Sequence, residues 1–459
     1  MANIFKKFFG KTSTDQTLTN LFNEAFFSFL GGSYAKYDLN NLNYMNKGYN
    51  INPDVYSVIS QISRKFASVP CYLKTVEDKE SYKSFLNIKS LNPADIARKR
   101  IFETKAFEQK EIKEPLESPN YYQTESEYKE LWETFMLITG NAYQYILSPE
   151  DGPNAGVPMA RFLLPAHMMQ IVLKKDAAFN NLESPIDHYI LVYGNAFVEF
   201  PAKDIIHTKF PNPNYDEQGS HLYGQSPLAA ALLDIQTGNI TRDDNNKSMN
   251  SGGMYGFIHA KDGQTSLTPA QAEELKSRLI EMRLDTQALG RIRGASAPLG
   301  FTKISVDTKD KMPFEYIKNS QKTVCNVLGW SDKLLNNDEG AKYDNMDAAW
   351  KMAISNRIIP DLKIYEDALN KYYYPRFKNL GNVKMFFDVS EMPEMQNDMK
   401  AMVDWLSVAM ENGAITPEEF RIALRYPETG KPEMMLHYLK GGLTPIEDIM
   451  SDQDFNINE

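Results

Sequence analysis

Residues 226–250 read SPLAAALLDIQTGNITRDDNNKSMN, and this stretch sets the terms for the rest of the chain. Ser226 followed by Pro227 is a helix start: the serine supplies a capping oxygen, and the proline stands where a missing N–H costs nothing. From Leu228 to Ile235 the residues are strongly apolar. From Asn239 to Asn250 they are not, because Arg242, Asp243, Asp244, Asn245, Asn246 and Lys247 leave only Ile240 and Met249 as apolar relief. A single-chain core cannot bury that second half. A helix polar all round bridges through solvent or lies against neighbours, so the stretch reads as part of an assembly.

Upstream, helical and strand periods alternate, which makes the fold α+β. Val55, Ile59, Ile62 and Phe66 give an amphipathic helix that ends before Pro70, and a strand follows over Cys71 to Thr75. Residues 76–114 read as a solvated insertion with one helix. Its Arg98-Lys99-Arg100 run is diluted by Glu103, Glu108, Glu111 and Glu114 into a neutral surface. A helix from Ser126 to Gly140 precedes a strand over Asn141 to Leu147. Further strands are expected at His167 to Leu173, His188 to Tyr193 and Ala196 to Phe200. The turn-rich Pro211-Asn212-Pro213-Asn214 marks a change to helical signals and places a boundary near residue 220.

Downstream, Thr268-Pro269, Thr416-Pro417 and Thr444-Pro445 each predict a capped helix start. Tyr343 to Tyr373 keeps one apolar face and should kink at Pro360, which removes a backbone hydrogen bond. Ser331 to Asn345 is a polar loop before it. Met395, Met399, Met402, Leu406 and Met410 form a stripe at helical spacing, either core or an adaptable contact face.

The 459 residues allow two to four domains, and 50 Lys plus Arg against 60 Asp plus Glu leave ten net negative charges. That sign argues against a protein that grips nucleic acid through its phosphates. Cys71 and Cys325 are too few for a disulfide framework or a four-cysteine zinc site. No apolar run is long enough to span a bilayer, and the opening Ile4-Phe5-Lys6-Lys7-Phe8-Phe9 reads as a terminal arm. The six histidines hold no ligand spacing, and no phosphate-cradling glycine motif occurs, so neither cofactor nor metal is expected. Asn336-Asn337-Asp338-Glu339-Gly340 fails as a calcium loop because Leu335 and Met346 fall at ligand positions. Pro360-Asp361 with Glu274-Leu275-Lys276 leaves a metal-dependent nucleic-acid hydrolase as the alternative function.

A series of short motifs stands in order along the chain: Asp54-Val55-Tyr56 running to Val69-Pro70, Pro115-Leu116 with Ser118-Pro119-Asn120, Gly140-Asn141-Ala142-Tyr143, and Pro165-Ala166-His167. It continues through Asp204-Ile205-Ile206-His207, Tyr223-Gly224-Gln225-Ser226-Pro227-Leu228, Val327-Leu328-Gly329 and Ile359-Pro360. In this order the motifs resemble the portal proteins of tailed bacteriophages, the head-tail connectors, and the resemblance covers about residues 50–425. Asn250-Ser251-Gly252-Gly253 and Gly329-Trp330-Ser331-Asp332 depart from the family pattern.

The resemblance implies an N-terminal arm and mixed α/β wing over residues 1–225, and stem helices with a small α/β clip over 226–330, the clip at about 251–311. A tunnel loop and long kinked wing helix follow over 331–380, then a helical crown over 381–459. It implies a non-enzymatic ring of about twelve subunits at one capsid vertex of the virion, assembled in the host cytoplasm. Double-stranded DNA would be packaged and ejected through the ring. Terminase, major capsid and scaffold proteins and a head-tail adaptor would be partners, and no membrane is involved. The implied site residues are Asp243, Asp244 and Asn246 in the stem and Asn336, Asn337, Asp338, Glu339 and Lys342 in the tunnel loop. In the clip they are Lys276, Arg278, Arg283, Arg291 and Arg293, whose other reading is a solvated helix face balanced by Glu273, Glu274 and Glu281.

Overall fold

A computed structural model describes residues 33–34, 43–88, 90, 92–108, 112, 118–174, 184–194, 196–214, 219–250, 256–260, 268–270, 273, 277, 299–303, 313–335, 343–377, 381–439 and 444–445. Helix α1 (Pro53–Ala67) and strand β1 (Cys71–Thr75) precede helices α2 (Lys79–Asn87) and α3 (Pro93–Ala106). Helix α4 (Glu125–Thr139) leads to β2 (Asn141–Leu147), β3 (Ala160–Leu164) and β4 (Met169–Leu173). Next come β5 (Ile186–Tyr193), β6 (Ala196–Pro201) and β7 (Ile205–Lys209). The 23-residue helix α5 (Leu228–Asn250), the pair β8 (Gly256–Ala260) and β9 (Leu299–Lys303), and α6 (Pro313–Val327) follow. Helices α7 (Tyr343–Ala353) and α8 (Ile359–Tyr372), strand β10 (Val383–Phe387), and helices α9 (Met399–Glu411) and α10 (Pro417–Ala423) come last.

The main core forms where α1, α4 and α8 meet two antiparallel sheets. Asn52 caps α1 by accepting from Asp54 N and Val55 N at 3.0 and 3.2 Å, and the predicted Val55, Ile59, Ile62 and Phe66 are fully buried. Thr124 and Glu127 close a reciprocal capping box on α4, which ends at a left-handed Gly140. Trp132 of α4 stacks on Phe66 of α1 at 5.4 Å and meets Tyr365 of α8 edge-on at 4.8 Å. One sheet has the order β3-β2-β7, and the other joins the short strand Ser33–Tyr34 to β4, β5 and β6. β3 and β7 are strands that alternation alone did not flag.

The 76–114 segment departs from expectation. It holds two helices, and α3 shares a separate small core with α9 and α10: Ile96, Ala97 and Ile101 pack with Met402, Leu406, Ala409, Ile415 and Ala423. The basic run is therefore only partly solvated, with Arg98 exposed, Lys99 half-buried and Arg100 buried. Arg98 lies over the Trp405 ring, Lys99 over the Phe85 ring, and buried Arg100 donates to Ala423 O at 2.8 Å. Glu103 is buried too, paired with Lys74 at 2.9 Å. The methionine stripe splits: Met402 and Leu406 enter this small core, Met395 enters the main core, and Met399 stays exposed.

The long helix breaks slightly before the position expected. A π-helical turn, Ile354–Ile358, separates α7 from α8, and Pro360 falls in the first turn of α8. Proline cannot donate to the carbonyl four residues back, and the wider turn absorbs that lost bond. Arg357 in this turn pairs with Asp361 at 2.6 Å and approaches Glu133 of α4 at 4.0 Å. Burial, and then Asp361 beside it, push the Glu133 carboxyl well above the usual carboxylate range. Asp361 is thus occupied within the core, and Glu274, its partner in the hydrolase reading, lies outside the described residues.

Thr416 starts α10 as predicted, with a capping box to Glu419. Of the helix start predicted at Thr444-Pro445, only these two residues are described, as a short strand paired with Tyr438–Leu439; the helix expected after them lies outside the described residues. Cys71 and Cys325 are both free thiols. Among the described residues no helix is long and apolar enough to cross a membrane, and no group of three or more acidic, histidine or cysteine side chains is arranged to hold a metal ion.

Candidate functional site

Motifs separated by as many as 88 residues meet where α5 begins. Asn141, the first residue of β2, is buried immediately after left-handed Gly140. Its Oδ1 accepts from Gly224 N at 2.6 Å and lies 3.0 Å from His207 Nε2. Its Nδ2 donates to Thr139 O and Gly224 O at 2.8 and 3.1 Å. Because Oδ1 only accepts, His207 holds its proton on Nε2. Burial, and then Lys209, hold the imidazole down at about 3, so it stays neutral while stacked on Tyr143 at 4.3 Å.

Backbone closes the rest of this junction. A Cβ on Gly140 would sit 2.3 Å from Gln225 O, and one on Gly224 would sit 2.0 Å from Gly140 O. Both clashes are with main chain, which has nowhere to move, so both positions demand glycine. Ser226, almost fully buried, donates to Ile138 O at 2.6 Å and accepts from Leu228 N at 3.2 Å, the capping expected of it. Tyr223 accepts from Ile171 N of β4 at 2.8 Å. The start of α5 is thereby fixed to α4, β2, β4 and β7 together.

Lower down, α5 runs against α6. Ser320 of α6 donates to Asp234 O at 3.0 Å, and Gly238 packs so closely that a Cβ there would lie 2.9 Å from Ser320 Oγ. Asn52, the cap of α1, donates to Asn239 Oδ1 at 2.9 Å, and Asn239 donates to Lys47 O at 2.9 Å. Arg242 reaches Asp54 at 2.5 Å. These contacts show where the core lets go: one side of the polar half is held, and beyond it Asp243, Asp244 and Asn246 are exposed. Asp243 pairs along its own helix with Lys247 at 2.6 Å.

The three stem residues singled out from sequence therefore lie together on the exposed end of α5. The loop residues Asn336, Asn337, Asp338, Glu339 and Lys342 fall outside the described residues, as do Lys276, Arg278, Arg283, Arg291 and Arg293. The residues that position the helix were overlooked as functional: Asn141, His207, Asn52 and Gly238. Asn141, His207 and Gly224 stood inside quoted motifs, yet their side-chain partners lie across strands and helices that sequence spacing cannot connect. Gly238 inside a helical run was the readable signal, since glycine there costs helix stability unless something approaches closely.

Comparison with known proteins agrees with this architecture. Two solved structures match most of the chain at 20% identity with a TM-score of 0.58: the neck of an empty gene transfer agent particle computed with C6 symmetry, covering 85% of this chain and 94% of that one, and the neck of the native particle computed with C12 symmetry, covering 87% and 96%. At that identity they speak for the fold. A protein of Rickettsia bellii is 25% identical over 282 residues, 60% of this chain and 68% of its own length. A Rickettsia felis protein is 26% identical over 274 residues, 58% and 66% respectively. The family model described as phage portal protein matches residues 53–424, from the first residue of α1 to the residue after α10. That span takes in the junction, both halves of α5 and the long helix: the chain belongs to the phage portal protein family and is a portal subunit, the component that forms a DNA channel.

Proposed function

We propose that this chain closes into a ring of about twelve copies, the order of the symmetry used for the native gene transfer agent neck, at one vertex of a capsid. Residues 1–225 are its arm and wing, α5 and α6 its stem, about 251–311 its clip, 331–380 its tunnel loop and long wing helix, and 381–459 its crown. Double-stranded DNA passes through the bore during packaging and ejection. The polar end of α5 supports this reading most, because Asp243, Asp244 and Asn246 lie exposed on a helix whose start is locked into the core.

The electrostatics suit a conduit. Ten net negative charges per chain become about 120 per ring of twelve, beside a duplex carrying one charge per about 1.7 Å. Lys or Arg contacts to phosphates would release counterions and hold the duplex. A bore of carboxylates and amides lets it slide. Asn336, Asn337, Asp338, Glu339 and Lys342 form the constricting loop in this proposal, and Lys276, Arg278, Arg283, Arg291 and Arg293 dock terminase and the head-tail adaptor. Capsid and scaffold proteins surround the ring. No catalytic step is assigned to the chain.

Mass photometry of the purified protein, run beside a DNA-cleavage assay with Mg²⁺ and Mn²⁺, tests this. Twelve copies of a 52.4 kDa chain give a particle of about 630 kDa, with no cleavage expected. A monomer or dimer that cuts DNA only with the metal present would overturn it in favour of a hydrolase.

A further inference from the structure

A cleft of about 220 Å³ opens where the small core of α3, α9 and α10 meets the main one. Three members of the methionine stripe, Met395, Met399 and Met402, line it together with Ile96 and Leu424. Thioether side chains reshape at low cost, so such a wall accepts apolar bodies of differing outline. Met395 and Met402 are buried, while Met399 is 48% exposed and leaves the cleft open to the surface.

Arg100 lines the same cleft. It is only 9% exposed, yet among the described residues no carboxylate pairs with its guanidinium. Its hydrogen bonds go to neutral oxygens, Ala423 O at 2.8 Å and Ser390 Oγ at 3.5 Å, and its Nε has no partner. The acids nearby are committed to other groups. Asp388 pairs with Arg425, Glu391 pairs with Arg425 at 3.4 Å and accepts from Tyr72 Oη at 2.9 Å, and Glu103 pairs with Lys74. Burial, and then Arg425 beside it, lower the Arg100 guanidinium from its ordinary value. A charge taken out of water without a partner is costly, so an anion that reached Arg100 would find it poorly satisfied. Arg425, also lining the cleft, holds its acids from a left-handed backbone with φ 64°, a conformation that no other non-glycine residue adopts among the described residues. Backbone strain of that kind gathers at ligand sites.

We infer that this cleft docks a peptide segment of a partner protein, one that presents a carboxylate beside a large apolar side chain. The apolar body enters between the methionines, and the carboxylate pairs with Arg100. The occupant follows from the chemistry of the walls: the missing charge is negative, the lining is otherwise apolar, and a cleft of this volume admits side chains and not a folded domain. A basic or neutral segment would leave Arg100 unpaired. A free small acid fits less well, because such ligands are enclosed on most sides, whereas this cleft is open at Met399. The site does not depend on how copies of the chain assemble.

The test uses the full-length chain and fluorescence polarisation of a labelled Gly-Ser-Leu-Glu-Leu-Ser-Gly peptide, its glutamine counterpart and, as competitor, N-acetyl-leucine. The glutamate peptide should bind, and the glutamine peptide should bind about tenfold more weakly or worse, the difference that a hydrogen bond between charged groups makes. Arg100→Met should weaken the glutamate peptide by the same factor while leaving the melting temperature close to that of the wild type, because it replaces an unpaired buried charge with an apolar side chain. Met399→Glu, at an exposed position, should also weaken binding about tenfold by setting a carboxylate against the incoming one, and it carries the test if Arg100→Met does not fold. Equal binding of the two peptides, binding of neither, N-acetyl-leucine competing as tightly as the peptide itself, or unchanged affinity in Met399→Glu would overturn the proposal. So would an Arg100→Met chain that melts lower but keeps the peptide, the mark of a purely structural arginine.

Discussion

The two ends of α5 are held by different physics. At its start, Ser226, Gly224, Asn141 and His207 are joined by hydrogen bonds of 2.6–3.2 Å inside the core, with glycines at main-chain contact. At its far end, Asp243, Asp244 and Asn246 are exposed, and Arg242 ties the helix to Asp54 of the subunit body. A buried, closed hydrogen-bond network leaves no freedom in where the helix begins. The exposed end is free to be shaped by what lies beside it in an assembly. In the proposed ring, rigid placement at one end lets the polar helix at the other serve as a wall.

That contrast predicts a graded response to substitution. Gly224→Ala should have the largest effect, more than about 3 kcal/mol, because its Cβ meets a backbone carbonyl rather than a side chain that can rotate; urea unfolding, or failure to recover folded protein, reads it. Asn141→Leu should cost about 2–4 kcal/mol, since Gly224 N and His207 lose their buried acceptor, and the urea midpoint should fall with an unchanged slope. A comparable loss from changes at Asp243 would erase the distinction between the two ends.

His207 supplies a pH signature for the anchored end alone. Its folded value, about 3, lies below the unfolded 6.5, so the unfolded chain takes up the proton first. The contribution of His207 is fully present above pH 6.5 and is lost as pH falls from there towards 3, by at most about 1.4 kcal/mol per pH unit. Comparing unfolding midpoints of wild type and His207→Gln at pH 7 and pH 5 should show a steeper acid loss in the wild type. At the other end, Asp243→Asn with Asp244→Asn should shift stability by no more than about 0.5 kcal/mol, the range of ordinary surface changes, as thermal melting would show.

Much of this was legible in the sequence, and the failures share a cause. Periodicity found α1, α4 and β2 because their apolar repeats and caps are local. It placed the exposed end of α5 correctly because so many charges in one run have no single-chain burial. It misread part of residues 76–114, where Lys99, Arg100 and Glu103 look solvated but find partners in the Phe85 ring, in Ala423 more than 300 residues away and in Lys74. Charge counting sees composition, and those partners come from tertiary packing. The long helix was read correctly as broken, but the π-turn at Ile354–Ile358 depends on how the helix accommodates Pro360, which no local pattern states.

Electron cryo-microscopy of the assembled protein tests the central claim most directly. The account predicts a closed ring around an open bore, with α5 of every copy lining it, Asp243 and Asn246 facing inward, and the start of each α5 fixed by Asn141. A ring with α5 on its outer rim, or an assembly without a continuous central channel, would contradict it.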